Sequence, residues 1–302
     1  MKNTILLLLI ILTGCATPLP PQLLTDVKEL SSDKYKGRKT GTKENKMAAE
    51  YITNRFKEIG LKAYDNEYKK LFNFKDASGS QIEGTNLIAY IPGKKPDAII
   101  ISAHYDHLGV IKNEIYNGAD DNASGIAGLL SIAKYFTKNK PEHTLVFAAF
   151  DAEEAGLQGA KAFVIEPALD RQYIKLNINM DMISRSQKKE LYVAGTHHYP
   201  LLKGSVITSN TKIKLLLGHD NPNLSQNDWT NQSDHGAFHD KKIPFLYFGV
   251  EDHTDYHKPG DDYAKINTEF YQNAVAVILE VLQNIDQSIT LQKITRDKLI
   301  ME

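Results

Sequence analysis

Apolar positions along the chain follow two periods. From Glu44 to Leu61 they recur at Met47, Ala48, Tyr51, Ile52, Phe56 and Ile59, the spacing of an amphipathic helix, and Gly60 stands where such a helix stops. Leu23–Leu30 predicts a shorter first helix, and Ser31-Ser32-Asp33 with Gly37 and Gly41 marks the polar loop between the two. Lys62–Phe74 alternates roughly, as an edge strand would, and Thr85–Ile91 reads as a second strand before the turn Pro92-Gly93-Lys94. Then the pattern changes. Ala98–Ala103 and Leu145–Phe150 are near-continuous apolar runs, expected of central parallel strands covered on both faces. The amphipathic stretch Ala123–Phe136, opened by Asn122, would return the chain between them as a crossover helix. Leu176–Met180 and Pro244–Gly249 read as further strands and Thr268–Ile285 as a long closing helix. This alternation predicts a single α/β domain over 23–302 with a mostly parallel sheet. Within it Lys188–Asn231 is less regular and holds the only tryptophan, Trp229, so we expect a lid or specificity insert there.

The first residues obey neither period. Lys2 gives a positive start, Ile5–Leu12 a short apolar core, and Thr13-Gly14 precedes Cys15. The apolar run is too short to span a bilayer. It resembles a bacterial lipoprotein signal, which implies removal of 1–14, a lipid on Cys15 and an extended tether over 15–22 with Pro18, Pro20 and Pro21. Ala16 after the lipid-bearing cysteine resembles lipoproteins sorted to an outer membrane, so we expect an envelope protein facing the periplasm or the surface. Cys15 is the only cysteine, which leaves the domain without disulfides. Lys and Arg total 36 against 37 Asp and Glu, a formal net charge of -1, so no basic footprint for nucleic acid exists and the lipid is the only membrane contact expected.

The chemistry gathers after the strands. In open α/β sheets ligands bind beyond the carboxyl ends of strands, and Phe150 is followed by Asp151, Glu153 and Glu154. Neighbouring carboxylates repel unless a cation neutralises one of them while another does proton chemistry. His104, Asp120, Asp181 and His257 also sit at or just after strand ends or in connecting loops. With Glu153 set aside as a candidate base, the remaining imidazoles and carboxylates form a nitrogen and oxygen donor set without thiolate, suited to zinc. Such a set exceeds one tetrahedral zinc and suits two ions sharing a carboxylate and a water. His107, His143, His197, His198, His219, His239 and His253 read as surface or supporting histidines, and Arg185 as a surface charge within reach of a substrate carboxylate. Ser124 lacks the context of a nucleophile and opens a helix instead.

H-Y-D at 104–106, G-A-D-D-N-A-S-G at 118–125, D-A-E-E-A-G at 151–156, N-M-D-M at 179–182 and Y-H-K-P-G-D at 256–261, with S-S-D-K-Y-K-G-R at 31–38 and S-D-H at 233–235, resemble the motif set of family twenty-eight of the metallopeptidases. These are the co-catalytic zinc aminopeptidases and their relatives. The resemblance implies a three-layer αβα fold with a central, mostly parallel mixed sheet. It implies two Zn²⁺ per chain, with His104 and Asp181 on one, Glu154 and His257 on the other, and Asp120 bridging. Glu153 would be the general base, acting on a water shared by the metals. Asp106 would orient His104, and a cis peptide would follow the bridging residue at Asp120-Asp121. His235 would line the substrate pocket. The implied activity is removal of N-terminal residues from peptides. Two alternatives share the fold: a glutaminyl-cyclase-like zinc acyltransferase, which keeps one zinc, and an inactive binding module, which loses ligands or the base.

Overall fold

The computed structural model describes residues 22–224 and 227–288. The signal segment, Cys15 and all of the tether except Gln22 lie outside the described residues. Helix α1 (Gln22–Leu30) and helix α2 (Lys43–Ile59) come first. The Thr42 side chain accepts the Asn45 amide at the start of α2, and Gly60 closes it with φ 88°, its N–H reaching Phe56 and Lys57. The strands β1 (Lys62–Ala63), β2 (Lys69–Lys75), β3 (Gln81–Ile91) and β4 (Lys95–His104) follow, then a hairpin of β5 (Gly109–Ile111) and β6 (Glu114–Tyr116). Next are α3 (Gly125–Lys138), β7 (His143–Phe150), α4 (Gln158–Ile165), β8 (Ile174–Met180), β9 (Glu190–Ala194) and β10 (Lys214–Leu217). Helix α5 (His235–Asp240), β11 (Phe245–Gly249) and α6 (Thr268–Ser288) complete the domain.

Nine strands form one sheet in the order β1-β3-β7-β4-β8-β11-β9-β10, with β2 also paired to β3. The inner strands β7, β4, β8 and β11 are mutually parallel, while β3 and β9 run antiparallel to their neighbours β7 and β11. Alternate side chains of the inner strands serve two cores. Ile99, Ile101, Leu145 and Phe147 pack with residues of α1, α2, α3 and α6, whereas Ile100, Val146 and Ala148 pack with Phe163 of α4 and Phe238 of α5. The result is the expected helix–sheet–helix sandwich, and the central position of Leu145–Phe150 is as its apolar run implied.

Two expectations need correcting. Lys62–Phe74 is two strands, because Asp65 and Asn66 at φ 51° and 63° turn the chain between them. Lys188–Asn231 is not a separate lid: it contributes β9 and β10 to the sheet and buries Trp229 in the larger core.

Candidate active site

Parallel strands deliver their carboxyl ends to one rim, and there the chain turns sharply. β4 ends at His104, β7 runs into Asp151–Glu154, β8 ends next to Asp181, and the segment after β11 leads to His257. His104 is fully buried, with Nδ1 3.2 Å from the Asp106 carbonyl oxygen and 3.7 Å from that residue's carboxylate. The Asp106 carbonyl is thus the nearer partner of the ring, and the Asp106 carboxylate, expected to orient it, stands behind at 3.7 Å and favours its charged form. The Asp106 carboxylate has other partners: it accepts the amides of Glu153 at 3.0 Å and Glu154 at 3.3 Å, together with the Thr40 hydroxyl. Asp106 thus aims both glutamates from beneath.

The carboxylate facing both imidazoles is Asp121. Its Oδ1 lies 3.3 Å from His104 Nε2 and its Oδ2 lies 3.1 Å from His257 Nε2. Asp120, expected in that position, turns the other way. Its Oδ1 accepts the amide and hydroxyl of Ser184, both at 2.7 Å, and its Oδ2 is 3.3 Å from His253. The reason is local. The amides of Asp120 and Asp121 are both pinned to the Asp261 carboxylate, and Asn122 is drawn inward to accept the Gly125 amide and donate to the Met180 carbonyl. With residues 120 and 122 both committed to the interior, the side chain between them is the one left to face the rim. The cis peptide is likewise one residue later than expected, at Asp121-Asn122.

The remaining groups fall on either side of Asp121. Asp181 Oδ1 is 3.3 Å from His104 Nε2, with Glu153 Oε2 at 4.0 Å. On the other side Glu154 Oε2 is 3.4 Å from His257 Nε2, and Glu154 Oε1 is 2.7 Å from Nδ1 of His107. Among the described residues two groups capable of holding a cation result: His104, Glu153 and Asp181, and His107, Asp121 and Glu154. His107 was read from the sequence as a supporting histidine, and nothing there distinguished it. It is fully buried, and neither ring nitrogen has a hydrogen bond. His104 Nε2, Asp181 Oδ1 and Glu154 Oε1 also lack hydrogen-bond partners. Buried polar atoms are normally satisfied, so this convergence of orphaned donors and acceptors is what a cation would resolve, and the nitrogen and oxygen set fits zinc.

The electrostatics follow from crowding. Burial pushes Glu153 well above the usual carboxylate range, and the Asp181, Asp234 and Glu154 carboxylates push it further. Burial and the Asp121 charge raise Glu154 to about 8. Burial opposes protonation of His104 and of His257, yet the facing carboxylates outweigh it and raise both. His107 goes the other way, lowered by burial to about 4. Asp234 adds an unexpected acid: neither of its oxygens has a hydrogen bond, and burial raises it to about 8.

Two further expectations change. His235 does not line the pocket: it is fully buried, with Nε2 2.8 Å from the Trp229 carbonyl and its ring against Tyr247 and Phe245. Ser233, two residues earlier, is the motif member turned to the site: it accepts from Asn179 at 2.9 Å and its hydroxyl favours the charged form of Asp181. Arg185 does border a cavity of about 480 Å³, with Tyr192, Glu251, Asp252 and His253. Its guanidinium is already paired with Asp255 at 2.7 Å and lies 3.7 Å from Asp261.

Comparison with known proteins places this geometry in context. Aminopeptidase YwaD of Bacillus subtilis (strain 168) is 31% identical over 218 residues, which is 66% of this chain and 44% of that protein. The alkaline phosphatase isozyme conversion protein of Escherichia coli (strain K12) is 27% identical over 161 residues, covering 49% of this chain and 47% of its own length. The chain thus spans less than half the length of these curated relatives. Among solved structures, the zinc aminopeptidase BSAP from Bacillus subtilis superposes with a TM-score of 0.70 over 90% of this chain and 98% of that one, at 17% identity. A glutaminyl cyclase from Bacteroides thetaiotaomicron superposes with a TM-score of 0.69 over 89% and 97%, at 16% identity, so both share the fold. The model of peptidase family M28 matches residues 86–282, which leave out β1, β2 and the start of β3 but take in the rest of the sheet and all the rim residues described above, and the chain belongs to that family.

Proposed function

We propose that the protein is a two-zinc aminopeptidase. The observation that carries the reading is the Asp121 carboxylate, whose two oxygens face different imidazoles, His104 at 3.3 Å and His257 at 3.1 Å. One ion would be held by His104, Asp181 and Asp121 Oδ1, the other by His257, Glu154 and Asp121 Oδ2. Zinc bound there supplies an acidified water and polarises the scissile carbonyl. Glu153 stands within 4.0 Å of His104 but outside the tighter contacts, and its raised proton affinity suits a carboxylate that takes a proton from the attacking water and returns it to the leaving amine. Asp106 holds the backbone of Glu153 and Glu154, so the base and the ligand stay in separate roles. An acyltransferase of the glutaminyl-cyclase kind has only the shared fold behind it.

The test combines metal analysis with a panel of aminoacyl fluorogenic substrates, free and N-acetylated. Two zinc ions per chain and cleavage of only the free amines are expected. Equal cleavage of blocked peptides, or cyclisation of N-terminal glutamine without hydrolysis, overturns the reading. We further propose that Cys15 carries a lipid that anchors the domain in the cell envelope. Cys15→Ser would then release the protein into the soluble fraction with its peptidase rate unchanged, and an intact Met1 on the mature protein refutes it.

A further inference from the structure

The motif S-S-D-K-Y-K-G-R at 31–38 lies outside the matched residues 86–282 and supplies no group to the rim. Its last residue is nevertheless among the most deeply buried charges in the chain. Arg38 is 1% exposed. Its Nε donates to the Tyr105 carbonyl at 2.8 Å, one terminal nitrogen to Leu30 at 2.8 Å and Asn117 at 2.5 Å, and the other to Gly118 at 3.0 Å. All four acceptors are neutral carbonyls. Tyr105 adjoins His104, and Asn117-Gly118 opens the loop that carries Asp121, so one planar fork spans the two turns that meet at the shared carboxylate.

The backbone is bent to put it there. Lys36, Gly37 and Arg38 lie consecutively in the left-handed region at φ 41°, 70° and 49°. A side chain at 37 would meet the Tyr116 and Gly109 carbonyls at 2.3 and 2.7 Å, so only glycine lets the segment slide beneath the β5–β6 hairpin. Beyond the fork, the Asn45 amide group holds the Arg38 carbonyl and Asp151, and the Thr40 hydroxyl joins Asp151 to Asp106. Every turn that bears a rim residue from β4, β7 or the Asp121 loop is therefore tied to residues 38–45.

A positive charge is costly in such a place. Burial lowers the guanidinium to about 10, while the Asp121, Asp106, Asp261 and Glu154 carboxylates favour its charged form. A neutral residue would fill the space at less cost if packing were the only purpose. What requires the charge is the crowd of carboxylates in front of it, and what requires guanidinium is the set of carbonyls, since an ammonium cannot present donors in a fixed plane.

We infer that Arg38 is a positioning residue of the metal centre, fixing the Tyr105 and Asn117–Gly118 carbonyls and thereby the mutual aim of His104 and Asp121. The inference rests on the two-metal reading above. It is tested on the full chain with wild type, Arg38→Lys and Arg38→Ala, by titrating zinc against a competing chromophoric chelator and melting the metal-free and zinc-loaded forms. Residues that orient metal ligands typically contribute about 10–100-fold to affinity, and a loss of that size is expected in Arg38→Lys, with added guanidinium ion restoring much of it in Arg38→Ala. The added stability that zinc confers on the wild type should shrink in parallel. Variants that keep wild-type zinc affinity and merely melt lower, or that cannot be recovered folded even with guanidinium, assign Arg38 to the fold alone. Fewer than two ions on the wild type would instead overturn the two-metal reading, and with it the centre that Arg38 is inferred to position.

Discussion

The two halves of the rim are built differently. His104, Glu153 and Asp181 come from the ends of β4, β7 and β8, three adjacent parallel strands, and the His104 side chain is 1% exposed. His257 comes from the segment beyond β11, holds φ 52°, stacks on Tyr256 at 4.0 Å and is 39% exposed. Side chains on sheet elements are held more rigidly than those on loops. The first half is thus a fixed socket, while the second depends on one exposed imidazole and on the buried Glu154–His107 contact. On the proposed two-metal reading, the proton chemistry would belong to the rigid half and the more exchangeable metal to the other.

The largest effect that could break this comparison is at the paired glutamates. Glu153→Gln removes a base without removing a donor oxygen from the tighter contacts, so both zinc ions should stay while turnover falls by about 10²–10⁴-fold or more. Glu154→Gln should leave the first ion in place, weaken the second and regain part of its rate in excess zinc. If Glu153→Gln loses metal and Glu154→Gln keeps both ions without activity, the two roles are reversed. Next in size is the pair of aspartates. Asp121→Asn alters a donor common to both halves, so both ions should bind more weakly, by more than the about 10–100-fold usual for residues behind the ligands. Asp120→Asn should leave zinc stoichiometry intact and lower the melting temperature through Ser184 and His253. Equal zinc loss in the two variants would undo the assignment of Asp121.

That pair also marks where the sequence stopped being legible. The strands, the crossover helix and the rim they build follow from apolar periodicity, because the inner strands β4, β7 and β11, buried on both faces, leave near-continuous apolar runs, and β8 keeps Leu176, Ile178 and Met180 in alternation with Asn177 and Asn179. His104, Glu153, Glu154 and Asp181 could be named because strand ends locate them, and His257 because the loop after β11 carries it in Y-H-K-P-G-D. Asp120 and Asp121 stand in a loop whose phase is set by distant partners, Asp261 and Met180, and adjacent identical residues offer no signal to choose between them. The Asn122 cap on Gly125 was the only available clue. His107 was missed because its burial depends on Gly118, further along the chain, approaching so closely that a side chain there would meet the His107 ring at 2.6 Å, and His235 was misplaced because its motif neighbours Ser233 and Asp234 face the site while it packs among aromatic rings.

A smaller effect separates the halves by metal exchange. His257→Ala should lower affinity for one ion and leave the other near its wild-type value, whereas His104→Ala should disturb both through Asp121. Partial chelation of the wild type should likewise stop at one ion per chain before stripping the second. Simultaneous loss of both ions at every chelator concentration would mean that the halves are not independent.

The smallest predicted effect concerns the metal-free protein and reads the same carboxylates through stability. Glu154 and Asp234 are raised to about 8, and Asp181 is also raised. An acid whose folded pKa lies above its unfolded value binds its proton more tightly when folded, so its contribution is complete below the unfolded pKa and is lost as pH rises through the folded one. Raised His104 acts in the same direction. His107, lowered to about 4, and His235, lowered to about 3, act oppositely, but their contribution is complete once the pH exceeds the ordinary histidine value of 6.5. Above that pH nothing among these groups offsets the loss, and the melting temperature of the stripped protein should fall steadily through about pH 8.5. Zinc neutralises the same charges, so the loaded protein should show a much flatter curve, and the gap between the two should widen with pH. Glu154→Gln should remove part of the slope from the stripped protein. A metal-free melting temperature that is flat or rising from pH 6.5 to 8.5 would show that the crowded carboxylates are relieved by something other than a bound cation.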